Sequence, residues 1–194
     1  MHVTTWLFYT ITVSADRAAP TLPNGYTCEM WRPDLLHLVP KGVPFFPFAV
    51  WWLLHMLHGF ANRAYAIFII RRNGEVVHRS VITPRYFRFP FMAAADLQVG
   101  DTWTDPAERR KGLATIALES IISMPSSRVC TCWYIVEPDN RASIRVVEKA
   151  GFTLGGRGDR TRCLGLGILG RFLLTHHFPQ EQTEGTATIE WVAR

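Results

Sequence analysis

The stretch Asp105-Pro106-Ala107-Glu108-Arg109-Arg110-Lys111-Gly112-Leu113-Ala114-Thr115 decides how the rest of the chain is read. Residues 96–104 before it have a strand-like pattern, which Asp105-Pro106 stops because proline cannot donate to a β-ladder. After it, Leu113, Ile116, Ala117, Leu118 and Ile121 recur at helical spacing across residues 112–124, and Pro125 lies just past the end. The order is therefore strand, turn, helix. The first amides of a helix have no partners inside it, so they point outward and attract phosphate oxygens. Gly112 and Ala114 leave that backbone approachable, and Arg109, Arg110 and Lys111 add positive charge. Taken alone, the stretch fits an anion site or an ordinary exposed helix start.

Outward from this point the pattern repeats. Residues 1–13 are β-branched and aromatic with no Lys or Arg before the hydrophobic run, which predicts a first strand rather than a secretory signal. Residues 26–31 read as a short strand, and Arg32-Pro33-Asp34 as the opening of a helix. Asn73-Gly74 separates two strand-like runs, 64–70 and 75–81, and marks a hairpin. Residues 128–136 form another strand. Asp139 or Asn140 can cap a helix over 141–150 that Gly151 ends in the left-handed conformation. A further strand begins at 152–154, residues 155–162 read as a basic glycine-rich loop, and 164–178 and 186–192 are the last apolar segments. The order predicts one α/β (α+β) domain over residues 1–194, built on a single mixed sheet flanked by helices.

Composition narrows the partners. The chain is 48% hydrophobic and 19% charged, which excludes extensive disorder. Its net charge of +5 and pI near 9.3 suit a polyanionic ligand. No basic stripe with interleaved aromatics marks a nucleic-acid binder. Cys28, Cys130, Cys132 and Cys163 match neither a zinc knuckle nor a thioredoxin-type pair, and the thiols of Cys130 and Cys132 are expected on opposite faces of their strand. Reduced, structural cysteines fit a cytoplasmic protein, and no metal site is expected.

Residues 43–60 stand apart: Val-Pro-Phe-Phe-Pro-Phe-Ala-Val-Trp-Trp-Leu-Leu-His-Met-Leu-His-Gly-Phe, without a formal charge. Pro44 and Pro47 leave about a dozen residues of uninterrupted helix, against the roughly 20 of a membrane span. His55 and His58 are placed on one helix face, and no third metal ligand is marked beside them. The segment reads as a helix buried on the sheet, a lid or groove for a greasy acceptor, or an interfacial membrane helix.

The residues from Arg109 to Ala114 fit the Gln/Arg-x-x-Gly-x-Gly/Ala signature of the GCN5-related N-acetyltransferases. Asn140-Arg-Ala-Ser143-Ile-Arg-Val-Val-Glu148-Lys149-Ala-Gly151-Phe152 resembles the family's second helical segment. The resemblance covers residues 96–156 well and leaves 43–60 unexplained. It implies the acyl-CoA N-acyltransferase fold, a mostly antiparallel sheet with a splay between two central parallel strands. It also implies transfer of an acetyl group from acetyl-CoA (coenzyme A) to a primary amine by direct attack in a ternary complex. Backbone amides of Arg110, Lys111, Gly112, Leu113, Ala114 and Thr115, next to Arg109, would then hold the cofactor pyrophosphate. Trp103 and Thr104 would present backbone groups to the pantetheine arm, and Asn140 would bond that arm or fix the splay.

The reaction needs a neutral amine, an oxyanion donor and a proton source for the thiolate. Asp96 and Asp101 are the carboxylate candidates for the base, with His78 behind them. The family's usual acid, a tyrosine seven residues after the asparagine, is Val147 here, so Tyr134 and Ser143 are the candidate acids. The Glu148-Lys149 pair reads as a helix-surface feature. The acceptor is an amine-bearing partner: a small molecule, a peptide N-terminus, or a nucleotide- or lipid-linked amino sugar of surface polysaccharide synthesis whose phosphates meet Arg79, Arg85 and Arg88. A non-catalytic acyl-CoA-binding module is the reading from a different class. Membrane contact at the interface and a homodimer are left open.

Overall fold

A computed structural model describes residues 5–13, 17–124, 130–161 and 170–178. The expected segment 186–192, Cys163 and residues 164–169 of the 164–178 run lie outside the described residues. Among the described residues eight strands form one sheet: β1 (Thr5–Val13), β2 (Tyr26–Trp31), β3 (Ala66–Arg72), β4 (Glu75–Pro84), β5 (Leu97–Thr104), β6 (Cys130–Val136), β7 (Thr153–Arg160) and β8 (Phe172–His177). Helices α1 (Phe45–Met56), α2 (Leu113–Ile122) and α3 (Arg141–Lys149) accompany it, with a 3₁₀ turn at Pro106–Glu108. The strand order is β2-β3-β4-β5-β6-β1-β7-β8.

Every neighbouring pair is antiparallel except β5 and β6. That parallel pair is short: it joins Leu97 to Cys132, Gln98 to Trp133 and Val99 to Tyr134 and then stops. Beyond it β5 runs on to Thr104 beside β4, and β6 to Val136 beside β1. The two central strands therefore diverge toward their carboxyl ends, as the expected splay requires.

The sheet separates two cores. One face packs Leu113, Ala117, Leu118, Ile121 and Ile122 of α2 and Ile144 and Val147 of α3 against Phe68, Ile70, Val99, Tyr134 and Phe152. The other holds Phe48 of α1 with Ile67, Ile69, Val81 and the aromatic loop residues Tyr86 and Phe89. Alternation along the strands supplies both faces, since successive side chains point opposite ways.

Several local expectations hold. Asn73 and Gly74 have φ of 51° and 84°, as a tight hairpin between right-twisted strands demands. Asn140 caps α3, and Gly151 leaves that helix at φ 89°. Phe46, before Pro47, is extended (φ −96°, ψ 133°), so regular helix begins only after it.

Three expectations are corrected. Residues 32–34 open no helix, and the chain from 32 to 44 is irregular. The glycine-rich loop at 155–162 is mostly strand β7. A Cβ on Gly156 would lie 2.4 Å from the His176 carbonyl oxygen, and one on Gly158 2.0 Å from that of Leu173. Glycine is there because β8 packs so close, not to turn the chain. Cys130 and Cys132, two apart in β6, share the α2–α3 core, because residues i and i+2 of a strand face the same way.

Candidate functional site

A cleft of about 730 Å³ opens over the carboxyl ends of the diverging strands, between α2 and α3. Ligands of open α/β sheets settle at such strand ends. Of the residues singled out in the sequence, Trp103, Thr104, Arg109, Arg110, Gly112, Leu113, Ala114, Thr115, Tyr134, Asn140 and Ser143 line it. Asp96, Asp101 and Lys111 do not.

The start of α2 forms one wall. Gly112 stands at φ 79°, no side chain caps the helix, and the first helical bond runs from the Ile116 amide to the Gly112 carbonyl. The amides of Leu113, Ala114 and Thr115 thus lie at an uncapped positive helix end facing the cleft. α3 supplies the facing wall. The Asn140 Oδ1 accepts from the Ser143 amide at 3.1 Å, which commits the oxygen to capping and leaves the Nδ2 donor for the cleft. Arg145 and Lys149 also line it. Lys149, expected at the helix surface, joins this wall because positions 142, 145, 146 and 149 share one stripe of the helix, a signal available from spacing.

The loop cations divide their work. Lys111 Nζ is 2.8 Å from Glu108, which also accepts from Tyr26 at 2.5 Å and Arg72 at 2.7 Å. Lys111, Tyr26 and Arg72 together hold the Glu108 carboxyl down at about 2. This knot ties the loop to β2 and β3 and consumes the Lys111 charge. Arg109 donates from Nε to the Thr104 carbonyl at 3.3 Å, and Arg110 is exposed at φ 65°.

Beneath the cleft lies a buried polar row. His78 Nδ1 pairs with Thr104 Oγ1 at 2.8 Å, its Nε2 with Ser80 Oγ at 3.0 Å, and Ser80 with Thr102 Oγ1 at 3.2 Å. Burial, then the nearby Arg79 charge, push His78 down to about 4, so it is neutral at pH 7.

The two carboxylate candidates part ways. Asp96 stands just before β5, at the end of the parallel pair away from the cleft, and is buried. It accepts from the Ala93 amide (2.9 Å), the Thr131 amide (3.1 Å) and Trp133 Nε1 (3.0 Å), so it ties the start of β5 to β6. Asp101 sits in a β-bulge, where β5 slips register against Arg79 and Val81 of β4. Its φ of 44° is uncommon for a residue with a side chain. It reaches the α1 side of the sheet, 3.8 Å from Arg79 Nη2, and burial, then the Asp101 charge, raise the Tyr65 phenol. Burial raises the Asp101 carboxyl above the usual range, against the opposing pull of Arg79. The Arg79 guanidinium lies 5.1 Å from the Trp103 ring and 5.3 Å from that of Phe48.

Tyr134 is buried at the last rung of the parallel pair and lines the cleft, while Val147 is fully buried in the core. Glu148 accepts from the Tyr9 hydroxyl at 3.0 Å, so it joins α3 to β1 rather than decorating the surface alone. His55 is buried and His58 lies past the end of α1, and among the described residues no group of three or more His, Cys, Asp and Glu is placed to hold a metal ion.

The model of the acetyltransferase (GNAT) family matches residues 29–152. That is well over half of the chain, which therefore belongs to this family. No curated protein matches it. Among solved structures, a GCN5-related N-acetyltransferase from Sphaerobacter thermophilus superposes with a TM-score of 0.53 at 18% identity, over 80% of this chain and 50% of that one. A tandem GNAT protein from the clavulanic acid biosynthesis pathway gives 0.50 at 14% identity, over 79% and 51%. These likenesses concern the fold. The chain spans between about half and three fifths of the length of the first solved chains it matches.

Proposed function

We propose that the chain holds acetyl-CoA in the α2–α3 cleft and transfers its acetyl group to an amine arriving from the α1 side of the sheet. The observation that carries this reading is the uncapped α2 start, at a left-handed Gly112, opening on a cleft at the divergence of β5 and β6. The free amides of 113–115 take the pyrophosphate oxygens, and Arg109, Arg110, Arg145 and Lys149 meet the remaining phosphate charge. Trp103, Thr104 and the Asn140 amide guide the pantetheine arm toward the splay.

At the splay the amine nitrogen forms the C–N bond to the acetyl carbon and the C–S bond breaks. The amine loses one proton and the departing thiolate takes one up. Asp101 is the base in this scheme, since its carboxylate lies on the acceptor side and burial raises its affinity for a proton. Tyr134, which lines the cleft, protonates the thiolate in the same scheme. Asp96 is assigned a structural part, and Ser143 acts through the α3 cap.

Thiol release from acetyl-CoA tests the reading, run with small amines, peptides and amino-sugar nucleotides. Turnover with any of them supports it. Tight acetyl-CoA binding with no turnover would convert the protein into an acyl-CoA-binding module, and no binding would overturn the site.

A further inference from the structure

Helix α1 is apolar on two opposite sides. Phe48, Trp51 and His55 follow one another at intervals of three and four and turn into the second core. Val50, Leu53 and Leu57, at intervals of three and four, form a second stripe that faces outward, and Phe46, in the extended backbone just before the regular helix, is exposed as well. Phe46 is 75% exposed and Leu57 70%, and Leu36 of the preceding irregular segment, beside Leu35, is 85% exposed. An outward stripe this apolar, continued by a neighbouring loop, exceeds the scattered single hydrophobes of an ordinary surface.

The charge around the stripe is one-sided. Residues 35–74 contain neither Asp nor Glu. Arg63 lines a recess with Leu35, Leu36 and Met56, beside Asp34, whose carboxylate is paired with His37 at 2.9 Å. A second recess beyond the end of α1 gathers His58, Arg85, Phe87 and Arg171. An aliphatic and aromatic strip with cations at one end is the composition of a helix lying in the headgroup region of a bilayer. A second copy of the chain fits less well, because a two-fold contact through this face would set Arg63, Arg85 and Arg171 near their own counterparts.

We propose that this face docks on an anionic lipid surface, with Phe46, Val50, Leu53 and Leu57 entering the boundary between headgroups and acyl chains and Arg63, Arg85 and Arg171 meeting the lipid phosphates. The helix lies in the surface and does not cross it: no helix among the described residues is long and apolar enough to span. The inference stands independently of the acyl-transfer reading.

Co-sedimentation with vesicles tests it, using phosphatidylcholine alone and phosphatidylcholine with one third phosphatidylglycerol. The expected result is binding to the mixed vesicles that falls at least tenfold in Phe46→Ser/Leu53→Ser/Leu57→Ser, and falls similarly in Arg63→Gln/Arg85→Gln/Arg171→Gln. All six positions are outside the acetyl-CoA cleft, and unchanged circular dichroism and acetyl-CoA binding certify both variants as folded. Wild-type protein left in the supernatant with mixed vesicles overturns the proposal. So does equal sedimentation of wild type and the serine variant, or a wild-type dimer in light scattering that the serine variant turns into a monomer without any vesicle binding.

Discussion

Asp101 and Arg79 face each other across the β4–β5 bulge with Oδ2 3.8 Å from Nη2, too far for a hydrogen bond and close enough for each to feel the other's charge. The bulge gives Asp101 its left-handed backbone and turns its carboxylate to the side of the sheet opposite the α2–α3 cleft. In the proposed mechanism this pair makes Asp101 a base whose proton affinity Arg79 tunes.

The pH profile follows from that pair. Burial raises Asp101, so the acidic limb of kcat/KM should fall above the ordinary carboxylate range. Arg79→Met removes the group that lowers it, and the limb should move further up. Asp101→Asn should cut kcat by about 10²- to 10⁴-fold while acetyl-CoA affinity stays the same. An unmoved limb in Arg79→Met, or full activity in Asp101→Asn, would show that the proton leaves by another route.

Asp96 should matter for stability and not for chemistry. Asp96→Ala strands the Trp133 indole N–H and two backbone amides in a buried place. The expected loss is about 2–4 kcal/mol in urea unfolding, from the cost of leaving buried donors unpaired. Per folded molecule, turnover should change little.

His78 links the buried row to acid stability. Its folded value of about 4 lies below the ordinary 6.5, so between these the unfolded chain binds the proton more readily. Stability contributed by neutral His78 is complete above pH 6.5 and declines as the pH falls toward 4, by about 3 kcal/mol at the limit. Replacing it by Gln should flatten that part of a stability–pH curve, measured by denaturant unfolding. A curve that keeps its slope would mean that other groups carry the acid sensitivity.

Gly112→Val forces a β-branched residue into φ 79°, a strained conformation even though no neighbour lies within 4 Å of the added Cβ. Calorimetry should show acetyl-CoA affinity lost by at least 100-fold. Arg145→Gln and Lys149→Gln should each weaken it about tenfold, which is the 1.4 kcal/mol scale of one charge-assisted contact.

Much of this was readable beforehand where the signal is local. The strand–turn–helix at 96–124, the Asn73-Gly74 hairpin and the Asn140–Gly151 helix each announce themselves within a dozen residues, because caps, turns and helical spacing are short-range properties. The family signature rests on the same segments. What stayed hidden depends on distant partners. Nothing near Asp96 says that Trp133 will claim its carboxylate, and nothing near Gly156 and Gly158 says that β8 will press against them. Lys111 looks like a phosphate ligand until Glu108 is seen collecting three donors. The outward stripe of α1 is visible in the spacing of Val50, Leu53 and Leu57, but its exposure depends on what else in the fold packs against it.

The position of β1 carries a kinetic consequence. It is the first strand of the chain, yet its neighbours are β6 and β7, so Tyr9 waits for Tyr134 and Leu154 before it has anywhere to settle. The strand made early is thus joined late, across the longest loop closure in the sheet. Such high contact order slows folding and leaves an apolar edge unpaired while the rest assembles. Because Tyr9 also donates to Glu148, the wall of the cleft that α3 provides is steadied by a strand whose partners lie far along the sequence.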